Sequence, residues 1–337
     1  MSARQRRVSL RGWGGVAAMA VACALTAVFA LLLPLTRSAV TGDGSTGVGG
    51  ARLATGIQAR ADDCTEPERS LPASGSDSGP AVSAIKQRGY LVVGVDQNSY
   101  HWGYRDPNSA KKSSELEGFD IDLAHEIARK ILGSADAIRF RAIPTNQRIP
   151  AIQHGDVDMV VRTMTISCER LKDVAFSTAY FQTGQQVLAP KDSSITGYDQ
   201  SLAGKRICTA AGSTAFERLD DDRKLRKLAA GADISTTVPN QLDCLVRLQL
   251  GEVDAVVTDS ALAAGQAAQD PTVELKGEPF TKEFYGVAMK RGADDLVSRV
   301  NRVLEDYRKD GGWQTSYDKW LKDGLGAADG PPAPKYK

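Results

Sequence analysis

Residues 162–170 read RTMTISCER and follow DVDMVV, an apolar-rich run that reads as a buried strand. Thr163, Thr165, Ser167 and Arg170 put three hydroxyls and a guanidinium within eight residues at the exit of that strand. Hydroxyl donors beside a fixed cation suit a carboxylate, which arginine grips through two parallel N–H···O bonds. A plainer use exists: Thr and Ser cap the next helix, and Arg170 pairs with a surface acid such as Glu169 or Asp173.

Three further clusters carry related chemistry. In KRICTAAGST a strand runs into small residues and then a helix, so backbone N–H groups near Ser213 and Thr214 form an anion site, unless these residues only cap the helix. Asp259, which closes VDAVVTD, can neutralise an ammonium or cap a helix. Arg148 in NQRIP, flanked by Thr145 and Asn146, is a second candidate cation or an ordinary surface charge. Together the four clusters supply two guanidinium groups, an amide-lined helix terminus and one carboxylate. That set complements a zwitterion with an additional acceptor, such as glutamate, aspartate or their amides, because buried charges left unpaired are costly.

The elements that must hold these groups alternate. LVVGVD, AIRFRAI, VDMVVR, KRICTA, VDAVVTD and YGVAMK read as strands. FDIDLAHEIARKI has apolar residues at 119, 121, 123, 124, 127, 128 and 131, a helical stripe, and RIPAIQHG, GSTAFERL and QLDCLVRLQLGE also read as helical. LVSRVNRVLEDYRKDGGWQTSYDKWL reads as helix, turn, helix. Strands separated by helices predict α/β units with mainly parallel sheets. IQHGDVDMVVRTMT and LQLGEVDAVVTDSA share a frame, which predicts two similar lobes with two polar clusters facing one cleft beyond the strands' carboxyl ends.

Net charge is +1 with no basic block beyond the amino terminus, which argues against nucleic acid as a partner. At the amino end, Arg4, Arg6, Arg7 and Arg11 precede a run of 25 uncharged residues ending at Thr36, long enough to enter a membrane. The charge bias puts everything downstream outside the cytoplasm. Residues 1–36 are thus a signal peptide or a signal anchor; RRVSLR also resembles a twin-arginine export signal, and Cys23 leaves a lipid anchor open. Residues 37–80, rich in Gly, Ser, Thr and Ala, read as a flexible linker, and 326–337 as a disordered tail. Outside the cytoplasm the four remaining cysteines are expected as disulfides, Cys208 with Cys244 inside one lobe and Cys64 with Cys168; free thiols and the other pairings remain open. No metal site is expected, since no CxxC or histidine cluster occurs.

GFDIDLAHEIARKI, IPAIQHGDVDMVV, MTISCER with FSTAYF, AAGST and VDAVVTD, in this order, resemble the family 3 solute-binding proteins of ABC uptake systems for polar amino acids. The resemblance covers about residues 82–323. It implies a periplasmic-binding-protein-like fold, two α/β lobes joined by two crossing strands that close on the ligand. The expected boundaries are 81–188 for the first part of lobe 1, 189–282 for lobe 2 and 283–325 for the return. By position, Arg170 is expected on the ligand α-carboxylate, helped by Thr165 and the helix start at Ser213 and Thr214. Thr163, through its backbone carbonyl, and Asp259 are expected on the α-ammonium. Asp96 matches a position near the pocket, and Arg148 resembles the arginine that glutamate/aspartate-binding members set against the side-chain carboxylate. Thr145 departs from the family, where an aromatic residue is common, and Arg162 stands where most relatives carry a small residue, either as a further cation or outside the pocket.

The implied protein is an extracytoplasmic, monomeric binding component that needs no cofactor and delivers its ligand to an ABC permease in the membrane. A sensor subunit that reports ligand state to a membrane partner is the alternative. Catalysis is not expected, although the fold hosts a dehydratase elsewhere: His101, His125 and His154 adjoin no nucleophile and acid pair in the sequence.

Overall fold

All seven apolar positions of the stripe from Phe119 to Ile131 are buried on one helix, Phe119–Leu132, in the computed structural model, which describes residues 64–106 and 116–337. The arginine-led apolar run, Cys23 and most of the expected linker lie outside those residues. Among the described residues no helix is long and apolar enough to cross a membrane.

In chain order the strands are β1 (Leu91–Val95), β2 (Asn98–Ser99), β3 (Gly103–Arg105), β4 (Leu116–Glu117), β5 (Ile138–Ala142), β6 (Met159–Val160), β7 (Val174–Phe176), β8 (Phe181–Thr183), β9 (Gln185–Pro190), β10 (Arg206–Ala210), β11 (Asp233–Val238), β12 (Ala255–Asp259), β13 (Val273–Lys276), β14 (Glu283–Tyr285) and β15 (Ala288–Lys290). One sheet has the order β5-β1-β6-β15-β7 and the other β11-β10-β12-β9-β13. In each, the first three strands are parallel and the fourth is antiparallel to both neighbours. The repeated frame in the sequence now has a spatial meaning. Its two copies end in β6 and β12, the middle strand of each sheet, and both release their polar residues at the carboxyl end.

Burial explains why these runs became strands. β12 is buried at all five positions and β1 at four of five, as strands covered by helices on both faces require. Helices pack on each sheet and divide the apolar interior into clusters. Ile127, Met159, Val300 and Leu304 belong to a large one in lobe 1, and Val187, Ile207, Leu219 and Val257 to one in lobe 2.

The lobes are joined by β8 and β14, which pair antiparallel with Phe181 opposite Tyr285. The first crossing therefore falls at 181–183, ahead of the expected boundary at 188, and Gln185–Pro190 is already a strand of the second sheet. FSTAYFQTGQQVLAP contains no turn signal strong enough to mark a crossing, because a chain changing lobes in extended form looks like one long strand.

The two chain ends also differ from a linker and a loose tail. Ser70 and Tyr336 form a parallel bridge, Lys335 pairs with Glu66 and Glu68, and the Ser70 hydroxyl donates to the Phe176 carbonyl at 2.7 Å. Asn301, fully buried, donates to the Leu71 carbonyl at 2.7 Å. Polar composition in 64–72 and 333–337 suited a linker, yet each segment supplies the other's backbone and charge partners.

Both expected disulfides form. Cys64–Cys168 ties the amino-terminal segment to the loop two residues before Arg170, and Cys208–Cys244 ties β10 to the helix Gln241–Gln249. Replacing Cys208 and Cys244 by alanine is expected to cost about 2–4 kcal/mol, because a bond across a sequence separation of 36 residues restricts the unfolded chain. Urea unfolding measures it; an unchanged midpoint would show that this bridge contributes nothing.

Candidate functional site

Where the carboxyl ends of β6 and β12 face each other, a narrow cavity of about 10 Å³ lies between the lobes. Arg148, Thr163, Thr165 and Arg170 line it from lobe 1; Ser213, Thr214, Ala215, Gln241, Thr258 and Asp259 line it from lobe 2. Roomier hollows, of about 370 Å³ beside Trp313 and about 820 Å³ beside the Cys64–Cys168 bridge, are lined by no buried charged residue. The small cleft concentrates the buried charge.

Arg170 and Arg148 are 4% and 3% exposed. Arg170 donates from Nη1 to the Thr165 carbonyl (2.8 Å) and from Nη2 across the cleft to the Gly212 carbonyl (3.1 Å). Arg148 donates from Nε to the Thr145 carbonyl (2.9 Å), from Nη1 to Arg162 O (3.3 Å) and from Nη2 to the same Gly212 carbonyl (3.3 Å). Among the described residues neither guanidinium has a carboxylate within ion-pair distance. Burial draws both below the usual arginine range, and for Arg148 the charges of Arg170 and Arg162 add to it. Two desolvated cations held only by carbonyl dipoles favour an anion between them. Gly212 makes their meeting possible: its φ is +73°, and a Cβ there would come within 3.0 Å of Asn146 Cα in the other lobe.

On the facing side, Ser213 caps the helix Thr214–Lys224, its hydroxyl accepting from Phe216 N–H at 3.1 Å. The capping reading therefore holds for that side chain. Thr214 and Ala215, the first two helical residues, have no protein acceptor for their N–H groups among the described residues, which leaves them for an anion. The Ser167 hydroxyl is also engaged locally, accepting from the Arg170 N–H at 3.3 Å.

Asp259 precedes the helix Ser260–Gln269 but makes no capping bond; it accepts a hydrogen bond from the Tyr285 hydroxyl. Burial, reinforced by Glu283, pushes its carboxyl up to about 7. With the folded pKa above the unfolded one, the empty protein holds more protons than the unfolded chain between about pH 4 and 7 and gains stability as pH falls through that window. A bound ammonium favours the carboxylate and reverses the preference, so binding near pH 6 should expel protons and weaken as pH drops below about 7. Calorimetry in two buffers of different ionisation enthalpy reads the release. An affinity flat from pH 8 to 5 with no proton released would exclude Asp259 from the cation's surroundings.

Residues 91–323 match the bacterial extracellular solute-binding proteins, family 3. The chain belongs to this family. It is 36% identical over 242 residues to the ABC transporter glutamine-binding protein of Bacillus subtilis (strain 168), covering 72% of this chain and 85% of that one. It is 27% identical over 262 residues to the glutamate-binding protein of Corynebacterium efficiens, covering 74% and 84%. Among solved structures, an ancestral arginine-binding protein bound to glutamine matches with a TM-score of 0.61 at 36% identity, covering 71% of this chain and 99% of that one.

Of the positions expected to hold ligand in this solute-binding protein, Arg170, Thr165, Thr163, Asp259, Ser213, Thr214 and Arg148 line one cavity. Asp96 does not. One of its oxygens accepts the Gln97 and Asn98 N–H groups, and the other meets Ser99 Oγ (2.8 Å) and Arg162 Nη2 (2.9 Å). Arg162, fully buried, also donates to Thr145 Oγ1 (3.0 Å) and across the cleft to Asn240 Oδ1 (3.1 Å). Asp96 thus neutralises Arg162 outside the cavity, which accounts for the departure at 162. Gln241 and Thr258 line the cavity without having been anticipated. Thr258 directly precedes Asp259 in VDAVVTD and was recoverable from that strand; Gln241 opens the helix Gln241–Gln249 and accepts from Thr145 Oγ1 of the other lobe at 3.2 Å, a meeting that no local pattern reveals.

Proposed function

We propose that the protein is the extracytoplasmic amino-acid-binding component of an ABC importer and that its ligand is an acidic amino acid of the glutamate/aspartate class. The observation that carries the ligand class is the pair of buried guanidiniums, Arg148 and Arg170, which have no carboxylate within ion-pair distance among the described residues and share the Gly212 carbonyl. An α-carboxylate satisfies Arg170, Thr165 and the free N–H groups at Thr214 and Ala215. A side-chain carboxylate satisfies Arg148, and Asp259 with the Thr163 carbonyl receives the ammonium. Glutamine- and glutamate-binding relatives support an amino acid with a side-chain oxygen at that end. By this reading the partner is a membrane permease to which the closed, liganded lobes present themselves.

Calorimetric titration of the purified chain with the twenty amino acids tests it. Glutamate or aspartate is expected to bind most tightly. Preference for glutamine would retain the amino-acid assignment and sink the acidic one; binding only of cationic amino acids would sink the argument from Arg148.

A further inference from the structure

Four successive residues leave the central strand of the first sheet, Arg162 to Thr165, and three of their carbonyls are taken. Arg148 Nη1 donates to the Arg162 carbonyl (3.3 Å), Gly286 N–H to that of Met164 (3.1 Å) and Arg170 Nη1 to that of Thr165 (2.8 Å). Among the described residues the carbonyl of Thr163 has no protein donor, although the residue is 5% exposed and lines the cavity. A buried carbonyl in that state needs a donor from elsewhere. Thr163 also sits at φ +40°, a left-handed conformation that a β-branched residue adopts only under constraint.

The constraint is Asp120. Its Oδ2 accepts the Thr163 N–H at 2.9 Å and its Oδ1 accepts the Tyr180 hydroxyl at 2.8 Å. Asp120 is 1% exposed, in the first turn of the helix Phe119–Leu132. That turn is fixed by its surroundings: the Phe119 and Asp120 N–H groups donate to the carbonyls of His101 and Trp102, and a Cβ at Gly118 would fall 2.5 Å from the Trp102 oxygen. Tyr180 directly precedes β8 and donates its N–H to the Tyr285 carbonyl at 2.8 Å, while the Tyr285 hydroxyl holds Asp259. Two buried tyrosine–aspartate pairs, linked through the strands that join the lobes, thus stand behind the two expected ammonium acceptors.

We propose that Asp120 is a positioning residue for ligand recognition: by holding the Thr163 N–H it fixes that residue's left-handed backbone and turns the free Thr163 carbonyl to the ligand's α-ammonium, with Tyr180 orienting the carboxyl group. The inference rests on the amino-acid reading above but not on the ligand's side chain.

The test compares glutamate with glutarate, which lacks the ammonium, by titration and displacement calorimetry of the full chain, its Asp120→Ala and its Asp120→Asn forms. Asp120→Ala is expected to weaken glutamate by about 10- to 100-fold and glutarate by less than about threefold. Asp120→Asn keeps an acceptor for the Thr163 N–H and is expected to regain most of the loss. Equal losses for both ligands in Asp120→Ala, or an Asp120→Asn form as weak as Asp120→Ala, would overturn the assignment. Where Asp120→Ala fails to fold, Tyr180→Phe is expected to give the same selective loss at about three- to tenfold, and no selectivity there overturns it equally. Should the wild type bind another amino acid in place of glutamate, the same ratio is read with that amino acid and its des-amino counterpart. The acidic assignment then fails while the Asp120 assignment is still decided. A wild type that binds no α-amino acid overturns both.

Discussion

Arg170→Ala is expected to weaken binding of every amino-acid ligand by about a hundred- to a thousand-fold, the loss that follows when a buried carboxylate loses a bidentate cationic partner. The empty protein should change far less. In the absence of ligand Arg170 is a desolvated cation whose bonds run to two carbonyls, at Thr165 and Gly212, and the Gly212 carbonyl keeps Arg148 as a donor. Burial holds Arg170 below its usual range, so removing it relieves a cost as well as deleting two bonds. Melting of the unliganded variant within about 4 °C of wild type, together with lost binding, is the expected pair of results. A large fall in melting temperature would make Arg170 a structural residue, and retained binding would remove it from the carboxylate site. Arg170→Lys separates charge from shape: it keeps the cation, loses the planar fork and should fall between the two.

Why Arg170 and Arg148 were visible in the sequence while their surroundings were not has a physical reason. Each lies beside hydroxyl or amide residues within a few positions, and that local mixture is unusual beside an apolar strand. The helical stripe from Phe119 to Ile131 and the repeated frame ending in β6 and β12 are local for the same reason, since side-chain periodicity is set by the backbone. Asp96 and Arg162 are 66 residues apart, and Asp120 lies 43 residues from Thr163. Nothing in either neighbourhood reveals that Asp96 is already committed to a cation, or that Asp120 holds a backbone N–H. The paired segments at the two chain ends are the extreme case. Ser70 and Tyr336 meet across nearly the whole described chain, and each alone has the composition of a linker.

Arg148→Met tests ligand class without emptying the site, because the replacement keeps most of the volume and removes the charge. Glutamate affinity should fall by about 30- to 300-fold, as a charge-assisted bond to a desolvated carboxylate is lost, and glutamine affinity by less than about tenfold, as a neutral amide oxygen loses a weaker one. Competition calorimetry with both ligands measures the ratio. The geometry sets what a different outcome would mean. Arg148 and Arg170 reach the same Gly212 oxygen, so both guanidiniums lie close enough to grip a single carboxylate. If Arg148→Met costs glutamate and glutamine equally, the two arginines clamp the α-carboxylate together, and the ligand's side chain must be read by lobe 2 residues such as Gln241 and Thr258. Only a selective loss of glutamate assigns Arg148 to the side chain, because a carboxylate common to both ligands cannot distinguish them.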